Sequence, residues 1–292
     1  MKPIPAFAHE GHAATADSWP LLLAVTIVAG GYVVLAARQR RLAATWSGWR
    51  TASFLAGCGV LAMAVIPDLS PYPAGDFRGH MIQHLLIGMV APTGLALGAP
   101  ASLLLRSLPV RGRRAAAVVL RSRVVHVLTN AAVILTLNVG GLVAIYATPL
   151  GGIVNDDPVA HHLVHVHFLV SGYLFAWLIA GLDPVPRRPT VPVRLVLLGV
   201  AITAHAVLSQ LMYAGVLGNA DIPPEQLRGA ATLMYYGGDL AELLLAIALV
   251  ATWRPRREPG TTRTASHVPG AGSAPPTTRR IASRTPVHDR QR

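Results

Sequence analysis

Two pairs of histidines, each four residues apart, are the side chains of this sequence best suited to chemistry: His80 with His84, and His161 with His165. Residues at i and i+4 stack on one face of a helix, so each pair presents two imidazoles on one side. Imidazole suits copper, zinc and iron. On the second segment a step of about 100° per residue puts His165 at about 40°, His162 at about 100° and His167 at about 240° from His161. Three of these cluster, and His167 points away. Two such pairs at one depth would build a site of roughly two to four imidazoles. Met81, Met89, Met212 and Met234 add thioethers, which lean the choice of metal toward Cu(I).

A second constellation lies deeper. His205, Ser209 and Met212 follow one another at i, i+4 and i+7, with Gln210 beside them, and Tyr235, Asp239 and Glu242 repeat the spacing further on. Ionisable groups far inside an apolar run face protein or water and have partners, so His205 is expected to meet Asp239 or Glu242, as a relay or as a packing hydrogen bond. His126 reads as structural, Cys58 as a buried thiol, and His9, Glu10 and His12 as a short metal-capturing stretch at most. No GxSxG, GxxxxGK[ST], GxGxxG or HExxH pattern is present, so an enzyme of those classes is not expected.

The elements that must position these residues follow from composition. Among 292 residues, 52% are hydrophobic and 13% charged, against roughly 25% charged in a soluble domain, and mean hydropathy is +0.48. An ordinary soluble enzyme is excluded. The net charge of +12 arises from basic residues between long apolar runs, which is a membrane pattern rather than a nucleic-acid one. A single cysteine leaves no disulfide framework and no CxxC site.

A spanning helix needs about 20 apolar residues. Seven runs of that size occur, near Trp19–Ala37, Trp49–Ile66, His80–Leu105, Val124–Tyr146, His161–Leu182, Val193–Val216 and Gly229–Trp253. The fold class is therefore all-α, a polytopic membrane protein with seven transmembrane helices over 19–253. Arginines gather after the first, third, fifth and seventh runs, which puts those loops in the cytoplasm, the N terminus outside and the C terminus inside. Residues 1–18 read as an exported tail. Residues 254–292, rich in Arg, Pro, Ser and Thr, read as a disordered basic cytoplasmic tail able to touch anionic lipid. Both histidine pairs then lie near the exported face.

The segment His80-Met81-Ile82-Gln83-His84-Leu85-Leu86, running into Ala91-Pro92 and Gly98-Ala99-Pro100, resembles the HMxxHxLL and APxxxLGxP stretch of CtaG-type cytochrome c oxidase assembly factors. His161-His162-Leu163-Val164-His165-Val166-His167-Phe168, Gly172-Tyr173-Leu174-Phe175 and Asp183-Pro184-Val185-Pro186 are similar to that family's second conserved stretch, and the likeness continues through Glu225-Gln226-Leu227-Arg228-Gly229 and Met234-Tyr235-Tyr236-Gly237-Gly238-Asp239. Val164 stands where the family often has Met, and Glu225-Gln226 replaces Asp-Gln. The resemblance spans roughly 15–255. It implies a bacterial plasma-membrane protein that works with haem-copper oxidase subunits and supplies copper during maturation.

The resulting expectation is a non-enzymatic copper chaperone. Its ligands are His80, His84, His161 and His165, with His167 and Met81 in reserve, while His205, Asp239 and Glu242 shape the interior or take up protons released on metal binding. Three rivals stand beside it: a b-type haem protein, a copper or proton transporter, and a ligand-free assembly scaffold. Partners are oxidase subunits and membrane lipid, with no nucleic acid.

Overall fold

The computed structural model describes residues 19–43, 46–66, 69–73, 75–184, 188–218 and 222–253. The tails 1–18 and 254–292, with His9, Glu10 and His12, lie outside the described residues, as do Val185 and Pro186. The described residues form helices and no strand. In chain order these are α1 (Trp19–Ala43), α2 (Gly48–Val65), α3 (Phe77–Leu97), α4 (Pro100–Ser107), α5 (Val110–Leu120), α6 (Arg123–Leu128), α7 (Ala131–Tyr146), α8 (Leu150–Asp156), α9 (Pro158–Ile179), α10 (Val191–Tyr213) and α11 (Pro224–Thr252).

Six of these, α1, α2, α3, α9, α10 and α11, are long and apolar enough to cross a bilayer, and α7 is a shorter apolar helix of 16 residues. Their outer faces are made of side chains such as Ile27, Val34, Val196 and Val250, which are 64%, 66%, 65% and 68% exposed. A soluble chain could not leave so much aliphatic surface to water. The chain is a multi-pass membrane protein.

Two expected spans differ from what folds. The run placed at Val124–Tyr146 is broken at Thr129 and Asn130, where the Asn130 side chain accepts from the Ala132 N–H and caps α7, so Val124 and His126 belong to the short exposed helix α6. The run His80–Leu105 is likewise two helices. Pro100 disfavours helical backbone at Ala99, which turns left-handed (φ 52°, ψ 54°) and starts α4 on a new course. Pro100 has no N–H, so the groups that this new helix leaves without a backbone acceptor are the N–H of Ala101 and of Ser102, and they need acceptors. Buried Asp183, beyond the end of α9, supplies them: its carboxylate accepts from Ala101 N at 2.9 Å and Ser102 N at 2.6 Å.

Helix α3 is the centre of the bundle, in contact with α2, α9 and α11. Glycines let the backbones approach, as small residues do between membrane helices. A Cβ at Gly57 would stand 2.7 Å from Leu95 N, and one at Gly94 would stand 2.9 Å from the Gly57 backbone. On the other side Gly172 of α9 lies against the Gly88 carbonyl. Gly88 belongs to a single π-helical turn, Leu86–Val90, that interrupts α3 two residues after His84. Such turns insert a residue and shift the phase of the helix, so the face carrying His80 and His84 is rotated from the one carrying Gly94.

Candidate metal centre

The start of α3 is fixed before its histidines are placed. Asp76 caps it, accepting from Arg78 N at 2.8 Å and pairing with the Arg78 guanidinium at 2.6 Å; these bonds hold the Asp76 carboxyl below the usual carboxylate range. Gln226, at the start of α11, accepts from Phe77 N at 3.3 Å. Gly229 makes room for the Arg78 side chain, since a Cβ there would fall 2.7 Å from Arg78 Cδ. The stretch Glu225–Gly229 thus docks the beginning of α11 against the beginning of α3.

One turn further on, α3 and α9 bring their histidines together. His80, His161 and His165 each offer a ring nitrogen, and the three atoms lie within 4.8 Å of one another. The His80 and His161 rings are 5.2 Å apart between centres, His161 and His165 4.4 Å, and His80 and His84 4.2 Å. His84 is the innermost. It is buried, 5.3 Å from His165, and packed edge-on against Phe168 at 4.8 Å. Neither ring nitrogen of His84 has a hydrogen-bond partner, and nor has His165 Nε2. Buried polar atoms without partners cost about 1–3 kcal/mol each, so a native core keeps few of them without a use.

Metal–imidazole bonds of about 2.0–2.1 Å would put the three nitrogens roughly 3.3–3.6 Å apart, so the cluster must tighten by about 1 Å to hold an ion. Rotation about the histidine side-chain bonds is the movement open to them. The three donors are imidazoles, and no carboxylate stands among the described residues that line the pocket, which suits a borderline or soft cation better than Mg²⁺ or Ca²⁺.

The remaining expected residues are distributed elsewhere. His162 is exposed, its ring 6.3 Å from that of His161. His167 turns to α7, where Nε2–H donates to the Leu137 carbonyl at 3.1 Å opposite Gly141. It fastens two helices and does not join the cluster. Met81 is 1% exposed and directed inward, its sulfur 3.8 Å from the Tyr146 hydroxyl. Deeper still, His205 Nδ1 faces Glu242 Oε1 at 3.8 Å, both side chains buried. Asp239 is turned outward, leaving Glu242 as the acid beside His205. Gly238 is where α11 yields to that imidazole: a Cβ there would fall 2.9 Å from His205 Nε2.

Two cavities meet at Tyr146. One, of about 320 Å³, opens beside His80, Phe77 and Met212; the other, of about 40 Å³, lies between His84, His205 and Asn138. Tyr146 and Asn138 carried no weight in the sequence argument. The signal for Asn138 was present, a lone amide inside an apolar helix; Tyr146 merely ended its run.

Residues 30–256 match the family model of the cytochrome c oxidase caa3 assembly factor (Caa3_CtaG). The chain belongs to that family. It is also similar to uncharacterized proteins of Mycobacterium bovis and Mycobacterium tuberculosis, each 31% identical over 248 residues, and of Mycobacterium leprae, 30% identical over 254. These matches cover 78%, 78% and 80% of this chain but only 37%, 37% and 38% of the relatives, so the chain spans less than two fifths of their length. No solved structure matches it. Within this assembly-factor chain the segments that carry the family resemblance have identifiable physical work: the two histidine stretches form the cluster, Gly172 and Gly238 admit a neighbouring backbone and ring, and Asp183 caps α4.

Proposed function

We propose that this assembly-factor chain binds copper as cargo at His80, His161 and His165, with His84 behind them, and passes it to an oxidase component while a copper centre is being built. The observation that carries the reading is the convergence of three imidazole nitrogens within 4.8 Å from two helices. The chemistry asked of the chain is binding and release, not catalysis. An all-imidazole site that must tighten to grip its ion also loosens without breaking the fold, as a donor requires. The arginine distribution supports an exported position for this end of the bundle, in a bacterial plasma membrane, where an oxidase copper domain could reach it.

The test is copper stoichiometry in detergent after Cu(I) loading, comparing wild type with His80→Ala/His161→Ala. Bound copper that falls by one equivalent in the variant supports the reading. Equal, negligible copper in both refutes it and favours a scaffold, and a haem absorption spectrum in the purified protein would replace it with the haem reading.

A further inference from the structure

Beneath the imidazole cluster, the 40 Å³ cavity has a donor set of its own. Met81, Met89 and Met234 line it together with His84, His205 and Asn138. Methionine ordinarily fills irregular gaps wherever they occur. Here the placement is selective: of the five methionines among the described residues, Met81, Met89 and Met234 line this cavity and Met212 lines the outer one, leaving only Met63 on the surface. His205 is 8% exposed and its Nε2 has no hydrogen-bond partner, while its Nδ1 faces the Glu242 carboxylate. At 3.8 Å the carboxylate stands beyond hydrogen-bond length, so one nitrogen of His205 has an acid near enough to support it once the ring turns toward an ion, and the other nitrogen has no partner. Glu242 Oε2 likewise has no hydrogen-bond partner among the described residues.

We propose that the interior cavity is a second cation site, a thioether and imidazole site for Cu(I), made by Met81, Met234 and His205 and reached from the outer cluster through His84 and Tyr146. Sulfur donors select a soft monovalent ion. One positive charge placed beside Glu242 leaves the interior of the membrane neutral, whereas a divalent ion would not. Tyr146 borders both cavities with its hydroxyl 3.8 Å from Met81 sulfur, and His84 touches the outer imidazoles while lining the inner cavity. Cargo taken at the surface can thus be held away from water. This inference rests on the copper reading of the outer cluster, and its test separates the two.

The full chain in detergent is loaded with Cu(I), the bound copper counted, and its X-ray absorption measured. The expected result is two copper ions per chain with both nitrogen and sulfur scattering. Met81→Leu/Met89→Leu/Met234→Leu keeps side-chain volume, and it should hold one copper with nitrogen scattering only. His80→Ala/His161→Ala should keep the sulfur-ligated ion. One copper with nitrogen scattering only in wild type overturns the inner site and leaves the outer one standing. No copper in wild type overturns both, and unchanged copper and spectrum in the methionine variant overturns the inner site as well. The wild-type spectrum alone decides the matter should the triple variant fail to fold.

Discussion

Gly172→Ala tests whether the crossing of α3 and α9 sets the imidazole geometry. The new Cβ would land on the Gly88 carbonyl oxygen, 2.9 Å from the carbonyl carbon and 3.2 Å from Pro92 Cγ. Every atom it meets is backbone or proline ring, so no flexible side chain can move aside. The two helices must part by about 1 Å, and overpacking of this kind costs about 1–3 kcal/mol. Gly172 lies seven residues, or roughly 10 Å, along α9 from His165. Parting the helices there widens a cluster that already has to close by about 1 Å around an ion. Copper affinity should therefore fall about tenfold or more, equivalent to about 1.4 kcal/mol, although no ligand has been touched. Competition against a chromophoric Cu(I) chelator reads the affinity, and thermal unfolding in detergent reads the packing. Gly199→Ala is the matched control, because nothing lies within 4 Å of a Cβ at that position. If Gly172→Ala binds copper and unfolds like Gly199→Ala, the close crossing does not position the site.

Three further substitutions separate binding from architecture. Asp76→Ala should cost about 1 kcal/mol at neutral pH, the value of a helix N-cap. Because Arg78 holds the Asp76 carboxyl below the usual range, its contribution is present above that range and is lost as pH falls through the lowered value. The gap in unfolding temperature between wild type and variant should thus shrink below about pH 4, and a gap that widened there would contradict the cap. Asp183→Ala orphans the Ala101 and Ser102 N–H groups and should destabilise by about 3 kcal/mol in denaturant titration, with copper stoichiometry unchanged in whatever remains folded. His167→Phe should lose the bond to Leu137 yet keep full copper loading, and a copper deficit would mean that this histidine is a ligand after all.

The helical class, the paired histidines and the depth of His205 were legible in the sequence because each follows from run length or a four-residue spacing. What could not be read is anything that depends on two helices meeting. The i, i+4 rule gave the face of His80 and His84 but not its direction, since the π turn at Leu86–Val90 rotates the rest of α3 and leaves no sequence signature. Asp239 and Glu242 were equivalent partners for His205 until packing turned one outward and the other inward. Hydropathy ran through Thr129-Asn130 and through Ala99 because neither break introduces a charge, although Asn130 and Pro100 were the local warnings. Met81 followed His80 so closely that it was grouped with the outer ligands; a step of about 100° is enough to send it into the inner cavity instead.

The burial of the imidazoles is uneven, and that bears on how the site could work. On the proposed reading, a chain that carries copper as cargo must hold it more weakly than the enzyme that receives it. A rigid site with fully satisfied second partners, as in a resident metalloenzyme, would bind too tightly for that purpose. His80 and His161 are only half-buried, and the innermost ring, His84, has no hydrogen bond to fix its tautomer or its rotation. The rigidity resides one layer out, in the Asp76 cap, the Gln226 dock and the Gly172 crossing, which hold the two helices but not the rings. Helix positions that are firm and side chains that are free give a site whose ligands can close on an ion and open again at little cost to the bundle. Adding a carboxylate to the cavity that His84 lines, by Met89→Glu for instance, should therefore slow release of copper to a competing chelator; faster release would mean that the free rings are not what makes the site exchangeable.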